Sequence, residues 1–228
     1  MLRSAVVREA EGGLSSLTLT LSNWGMAERS IGYLFDAGGP IELGTQLKLY
    51  FGETSAPRAI FEGAVHAIEA VAVSGAPPEI TVLAEDKLFA ARLARRSQVY
   101  VDQTVADVVR AIAEGLGLQC DMGDLGGSAG TWAQLNESDL AFLRRLLSRQ
   151  DCDLQLTGDQ LQVRRVADRD RGSLSLSLYS QLQQVRVIAD LADQATAVTA
   201  SGFDAMAGSA FTARSTGAAA GPGSGSTG

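Results

Sequence analysis

Histidine is almost missing from this chain: His66 is the only one among 228 residues. It lies in a strand-like run, Gly63 to Ile68, and reads there as a satisfied sheet histidine. Neither a Ser-His-Asp or Cys-His nucleophile nor a His-based metal site is therefore expected. Cysteine is nearly as scarce. Cys120 and Cys152 have no metal-ligand spacing and read as ordinary semi-buried thiols rather than a disulfide. Lysine is limited to Lys48 and Lys87 among 19 basic residues, against 26 acidic ones. With a net charge of -7 and a pI near 4.8, generic attraction to phosphate backbones or anionic membranes is disfavoured, so no nucleic-acid partner is expected. No apolar run approaches the roughly 20 residues that a membrane helix needs. The first ten residues carry Arg3, Arg8 and Glu9 in place of an apolar signal core. Synthesis in the cytoplasm without direct membrane insertion is the expectation. What is present is ordinary globular material, 46% hydrophobic and 20% charged, enough for one large or two modest domains.

Alternation dominates the first 85 residues. Leu17, Leu19 and Leu21 fall on one face of LSSLTLTLSNW and Thr18, Thr20 and Ser22 on the other, a half-buried strand. After Gly38-Gly39-Pro40, Leu47, Leu49 and Phe51 alternate with Gln46, Lys48 and Tyr50. A third strand is expected over Ala59 to Glu69, broken by Gly63, and a fourth over Glu79 to Glu85 after Pro77-Pro78. Short strands with turn residues between them and no convincing helix imply an antiparallel barrel or sandwich.

Helical spacing begins after residue 100. Asp102 or Thr104 caps a helix carrying Val105, Val108, Val109, Ile112 and Leu116, stopped by Gly115 and Gly117. Met122 to Gly130 is a polar, glycine-rich loop. A second helix is expected from near Glu137, with Asn136 as N-cap, Asp139 in the first turn and an apolar stripe of Leu140, Phe142, Leu143, Leu146 and Leu147. Arg144, Arg145 and Arg149 sit toward its negative end. Asp153 to Arg165 alternates across Thr157-Gly158-Asp159-Gln160, a two-residue hairpin turn. Two helices and a hairpin make an α/β insert over 98–167. Asp168 to Gly172 reads as a surface junction. Leu174 to Leu178, Leu182 to Ala189 and Ala195 to Phe203 follow as strands, and Gly217 to Gly228 is a Gly/Ser/Pro tail expected to be disordered or to act as a tether from about Thr216.

Chemistry-bearing patterns mostly have structural readings. Asp151-x-Asp153 is a helix-to-strand turn rather than a cation site. Gly223 to Gly228 spells G-x-G-x-x-G but neither follows a strand nor opens a helix. Asn136-Glu137-Ser138 is a formal glycosylation acceptor better explained by helix capping. Glu85 and Asp86, adjacent on a strand, point to opposite faces and make no acid/base pair. Arg92, Arg95 and Arg96 form a basic run that reads as a solvated linker pairing with Glu85, Asp86 and neighbouring subunits. No catalytic, cofactor-binding or metal-binding residue is assigned and no cofactor is expected.

One run is more specific. Trp132, Gln134, Asn136, Glu137, Ser138, Asp139, Leu140, Phe142, Leu143, Arg145 and Leu146 form a pattern that closely resembles the late-control-D family, which, with the N-terminal part of valine-glycine-repeat spike proteins, builds the central hub of contractile injection systems. Glu85-Asp86, Leu88-Phe89, Arg92 to Arg96 and Val99 to Val101 are similar to the family's parts in the same order, as are TVADVVRAIAEGLGL and LADQATAVTASGFD, Leu191 to Asp204, at the opening of a second barrel. The resemblance extends over about residues 40 to 205 and is strongest from 84 to 146. It implies a mainly β fold with an α/β insert in a tandem β-barrel hub, the second barrel incomplete. The divisions would be 1–97, a first barrel; 98–167, the insert; 168–213, strands of the second barrel; and 214–228, the tail. It further implies a structural, non-enzymatic role: a homotrimer adapting the tail tube ring to a spike or spike-tip protein among other baseplate components. The chain would be made in the cytoplasm and then built into a tail-like particle. The alternative is a tail-associated ligand-binding barrel or cell-wall hydrolase.

Overall fold

The structure, a computed structural model, describes residues 2–27, 30–35, 39–168, 173, 175–188 and 197–216. The chain divides into two compact units, Met1–Asp170 and Arg171–Gly228. In the first unit, β1 (Leu2–Arg8) and β2 (Ser16–Ser22) lead into a small hairpin, β3 (Gly25–Ala27) and β4 (Ser30–Gly32). Then come β5 (Gln46–Phe51), β6 (Arg58–Val71) and β7 (Glu79–Glu85). The sheet order is β1-β2-β7-β6-β5, antiparallel throughout. It curls as a half-barrel, with β1 and β5 at its two edges. Alternation explains the inner face: Leu17 and Leu21 from β2, Phe61 and Val65 from β6, and Ile80, Val82 and Ala84 from β7 are all buried.

Three details depart from the sequence reading. Gly63 does not break its strand; β6 runs through it, because a Cβ there would stand 2.2 Å from the Glu85 carbonyl oxygen and only glycine admits so close an approach. The irregularity falls instead between Val65 and Ala67, at His66. A second register shift, with Ile60 of β6 as its extra residue, falls near the end of β5, where Phe51 is 74% exposed, unlike Leu47 and Leu49. The third is β1, which the sequence reading left out. Of its side chains only Val7 packs against the core, so an edge strand of this kind carries little apolar alternation.

The rest of the first unit holds α1 (Phe89–Leu93), β8 (Arg95–Gln103), α2 (Val105–Gly115), β9 (Gln119–Met122), β10 (Gly130–Ser138), α3 (Asp139–Ser148), β11 (Cys152–Thr157) and β12 (Gln160–Arg165). Its largest core joins the apolar faces of α2 and α3 to Leu154, Leu161 and Val163 of the hairpin, with Leu88 and Ala91 completing it. Thr104, not Asp102, caps α2, in a reciprocal box with Asp107. Thr157 pairs Gln160 across the expected two-residue turn, with Gly158 at φ 60°. The parallel pairing of β9 with β12 was not anticipated; four residues, QCDM, carry no readable period.

In the second unit, β13 (Ala197–Asp204) and β14 (Ser209–Thr216) form a hairpin. Gly202 lies under the Phe211 ring, and Asp204 Oδ1 accepts from the Met206 and Ala207 amides to close the turn, as the Gly-aromatic-Asp pattern implies. The strands expected over Leu174 to Leu178 and Leu182 to Ala189 are not formed in the described residues, where only an isolated Leu178–Leu182 bridge occurs. Alternation supplies a face, whereas a strand also needs a hydrogen-bonding neighbour. Leu174, Ala189, 191–196 and 217–228, including the glycine-rich tail, lie outside the described residues.

Candidate assembly site

The run that carries the family resemblance is a strand turning into a helix, and its polar side chains are spent on that junction. Gln134 is fully buried; its Nε2 donates to the Glu137 carbonyl at 3.0 Å and to Asp139 Oδ1 at 2.9 Å. Arg145 reaches back from α3, donating through Nη2 to the Ala133 carbonyl at 2.7 Å and through Nε to Glu137 Oε2 at 3.2 Å, with its guanidinium over the Phe142 ring. Trp132 Nε1 donates to the Gln103 carbonyl at 2.7 Å, tying β10 to the end of β8. Asp139 is buried beside the Arg96 guanidinium, at 3.4 Å. The cap is Ser138, whose hydroxyl accepts from the Ala141 amide at 3.2 Å. Asn136, the residue expected there, stands at φ 51° inside the shift of register between Gln134 and Glu137. The chain must kink before the helix can start, which moves the start two residues on.

A second constellation joins this helix to the half-barrel. Gly12 and Gly13, in the loop between β1 and β2, have φ 82° and 69°. The Gly12 amide donates to Asp153 Oδ1 at 2.6 Å, and Arg144 donates to the carbonyls of Gly12 at 2.7 Å and Gly13 at 3.0 Å. A Cβ on Gly13 would lie 2.4 Å from Leu154 Cδ1 and 2.8 Å from Leu88 Cδ1. One turn further, Asp86 accepts from the Ser15 amide through Oδ2 at 2.7 Å and from the Leu88 amide through Oδ1 at 2.9 Å. Burial holds its carboxyl above the usual 3.8, against the pull of those two amides. A cleft of about 180 Å³ opens beside it, lined in part by Glu9, Phe61, Glu62 and Gln155. Asp86 is thus a bolt between β2 and α1, while Glu62 pairs with Lys48 at 2.8 Å.

The remaining candidates separate. His66 stacks on Phe89 at 5.4 Å and approaches Glu85 at 3.7 Å. Glu85 is also held by Arg92 at 2.7 Å, the pairing expected for the basic run, and Arg95 donates to the Asn136 carbonyl. Asp153 serves the Gly12 amide, and Asp151 takes a left-handed turn at φ 51° between α3 and β11. Cys120 and Cys152 are free, and burial pushes both thiols up, away from the reactive thiolate. The arrangement is therefore a scaffold whose polar groups position chain segments.

The model of the phage tail baseplate hub (GPD) family matches residues 34–214. The chain belongs to that family. No curated protein matches it. Solved structures share the fold at low identity. The 43 kDa tail protein of prophage MuSo2 from Shewanella oneidensis aligns at TM-score 0.65 and 16% identity, over 91% of this chain and 61% of that one. A tail protein from Neisseria meningitidis MC58 aligns at 0.59 and 11%, over 89% and 59%. The E. coli c3393 protein, a type VI secretion component described as similar to the T4 tail proteins gp27 and gp5, aligns at 0.54 and 16%, over 90% and 56%. The chain thus spans about three fifths of the length of these structures. What sequence reasoning missed is the receiving side of the joint, Gly12 and Gly13, which precedes the matched residues 34–214. Two adjacent glycines before a strand were the available signal.

Proposed function

We propose that this baseplate hub chain is a structural, non-enzymatic component of a contractile injection particle: a homotrimeric adaptor that joins the tail tube ring to a spike or spike-tip protein among the other baseplate components. Membership of the hub family over residues 34–214 carries the reading. The chemistry of the junction supports it, since Gln134, Asp139, Arg145 and Asp86 are all engaged by backbone groups or by neighbouring side chains, and function then rests on surfaces. The divisions 1–97, 98–167, 168–213 and 214–228 are proposed as first barrel, insert, second-barrel strands and tether. Synthesis in the cytoplasm followed by incorporation into the particle completes the reading.

Native mass spectrometry of the chain at rising concentration tests the adaptor role, with three copies expected. A monomer that persists across the whole concentration range overturns the trimer.

A further inference from the structure

β8 and the last turns of α2 border a cleft of about 170 Å³, apart from the joint at Gly12 and Gly13. Arg96, Gln98 and Tyr100, spaced by two, line it from one face of β8, Ala111 and Gly115 from α2, and Asp139 from the start of α3. Two of these residues lie almost wholly inside the protein, Tyr100 at 7% exposure and Asp139 at 6%. Neither has all its oxygens occupied. Asp139 Oδ1 accepts from the Gln134 amide at 2.9 Å, whereas Oδ2 is met by the Arg96 Nε at 3.4 Å and accepts no hydrogen bond among the described residues. The Tyr100 ring stacks on Phe142 at 5.7 Å, yet its hydroxyl has no hydrogen-bond partner among the described residues. A buried phenol ordinarily finds one.

Size, charge and hydrogen bonding each narrow what this cleft can hold. An engineered cavity of about 150 Å³ admits a benzene, so there is room here for a group of roughly six heavy atoms. Gly115 keeps one wall open: a Cβ there would meet nothing within 4 Å. The charges of Arg96 and Asp139 cancel. A charged guest would meet a like charge on the same wall and have to part the pair, whereas an uncharged guest leaves it intact. Burial, and then the Asp139 carboxylate, hold the Tyr100 phenol above its usual 10.0, so it stays protonated and can donate. Asp139 Oδ2 lacks an N–H and the Tyr100 hydroxyl lacks an acceptor; a primary carboxamide carries both on three heavy atoms.

We propose that the cleft between β8 and α2 is a binding site for an uncharged primary amide, its nitrogen on Asp139 Oδ2 and its carbonyl on the Tyr100 hydroxyl. The site stands on the residues of the first unit alone and does not depend on the adaptor role or on the number of copies. Arg96 remains with Asp139 when the amide is bound, and Gly115 leaves the space through which it enters.

Titrating the full chain with acetamide, followed in nitrogen–proton NMR correlation spectra, tests it. Acetamide carries the group free, N-acetylglutamine methylamide carries it on a chain, and the tighter of the two gives the source. Saturable shifts are expected at the Gln98 side-chain amide and at the Tyr100 and Gly115 backbone amides. Tyr100→Phe keeps the ring on Phe142 and should weaken binding about three- to tenfold, as the loss of one hydrogen bond does. Gly115→Leu, whose side chain enters open space, should abolish binding; where that variant loses its fold, Ala111→Leu on the same wall replaces it. Methylammonium and acetate should each bind more weakly than either amide. No saturable shift with either amide, an affinity unchanged by Tyr100→Phe or by the leucine variant, or tighter binding of either ion overturns the proposal.

Discussion

Gly13 shows how a single missing Cβ can locate a joint. Gly13→Ala meets both a left-handed φ and two leucine methyl groups, so it should cost about 2–4 kcal/mol in urea unfolding. Gly44→Ala is the control: φ is 86° but nothing stands within 4 Å, so only the strain of about 1–2 kcal/mol remains. Equal losses at the two sites would remove the packing argument. Asp86 gives a pH signature. Its folded pKa lies above 3.8, so the stability it contributes is fully present below 3.8 and is lost as pH rises through the folded value. The stability of wild type relative to Asp86→Asn should accordingly fall with rising pH just above that value, measured by unfolding from about pH 3.5 to 7. A difference that is flat with pH would mean that burial does not govern this carboxyl.

The cap of α3 separates two readings of one run. Ser138→Ala should cost about 1 kcal/mol, because the Ala141 amide loses its acceptor, whereas Asn136→Gly should be neutral or slightly stabilising at φ 51°. The opposite order would restore Asn136 as the cap. Phe142→Ala and Leu143→Ala should each lose about 2–5 kcal/mol of stability in the same unfolding assay, both side chains being fully buried. Elements with a long period were legible: α2, the stripe of α3, the hairpin at Gly158 and the strands β2 and β7 all follow their alternation or helical spacing. Their polar fixtures were less so. A cap can be any of several oxygens within two residues, and the kink at Asn136 decides between them. β9 is set by contacts distant in sequence, Gln119 pairing with Gln160, which no local window contains, whereas β1 and the short hairpin of Trp24 to Tyr33 pair with near neighbours and bury little. The Leu182 to Ala189 alternation went the other way, a readable face without a neighbouring strand in the described residues.

Among the described residues, the buried apolar ones all lie in Met1–Asp170. Within the second unit no described side chain of β13 or β14 is buried, and a lone two-stranded ribbon is marginal in water. Its amides should exchange quickly in the free chain and slow on assembly, as hydrogen exchange on the monomer and the particle would report; slow exchange in the monomer would contradict this. The clamp on Gly12 also sets a clock for synthesis. Its acceptor, Asp153, emerges 141 residues later. At 5–20 residues per second the ribosome needs roughly 7–30 s to supply it. Throughout that interval the glycine end of the first loop lacks its clamp, although the Ser15 amide finds Asp86 only 71 residues on, so the turn between the first two strands, although made early, is among the last parts of the half-barrel to be locked in place.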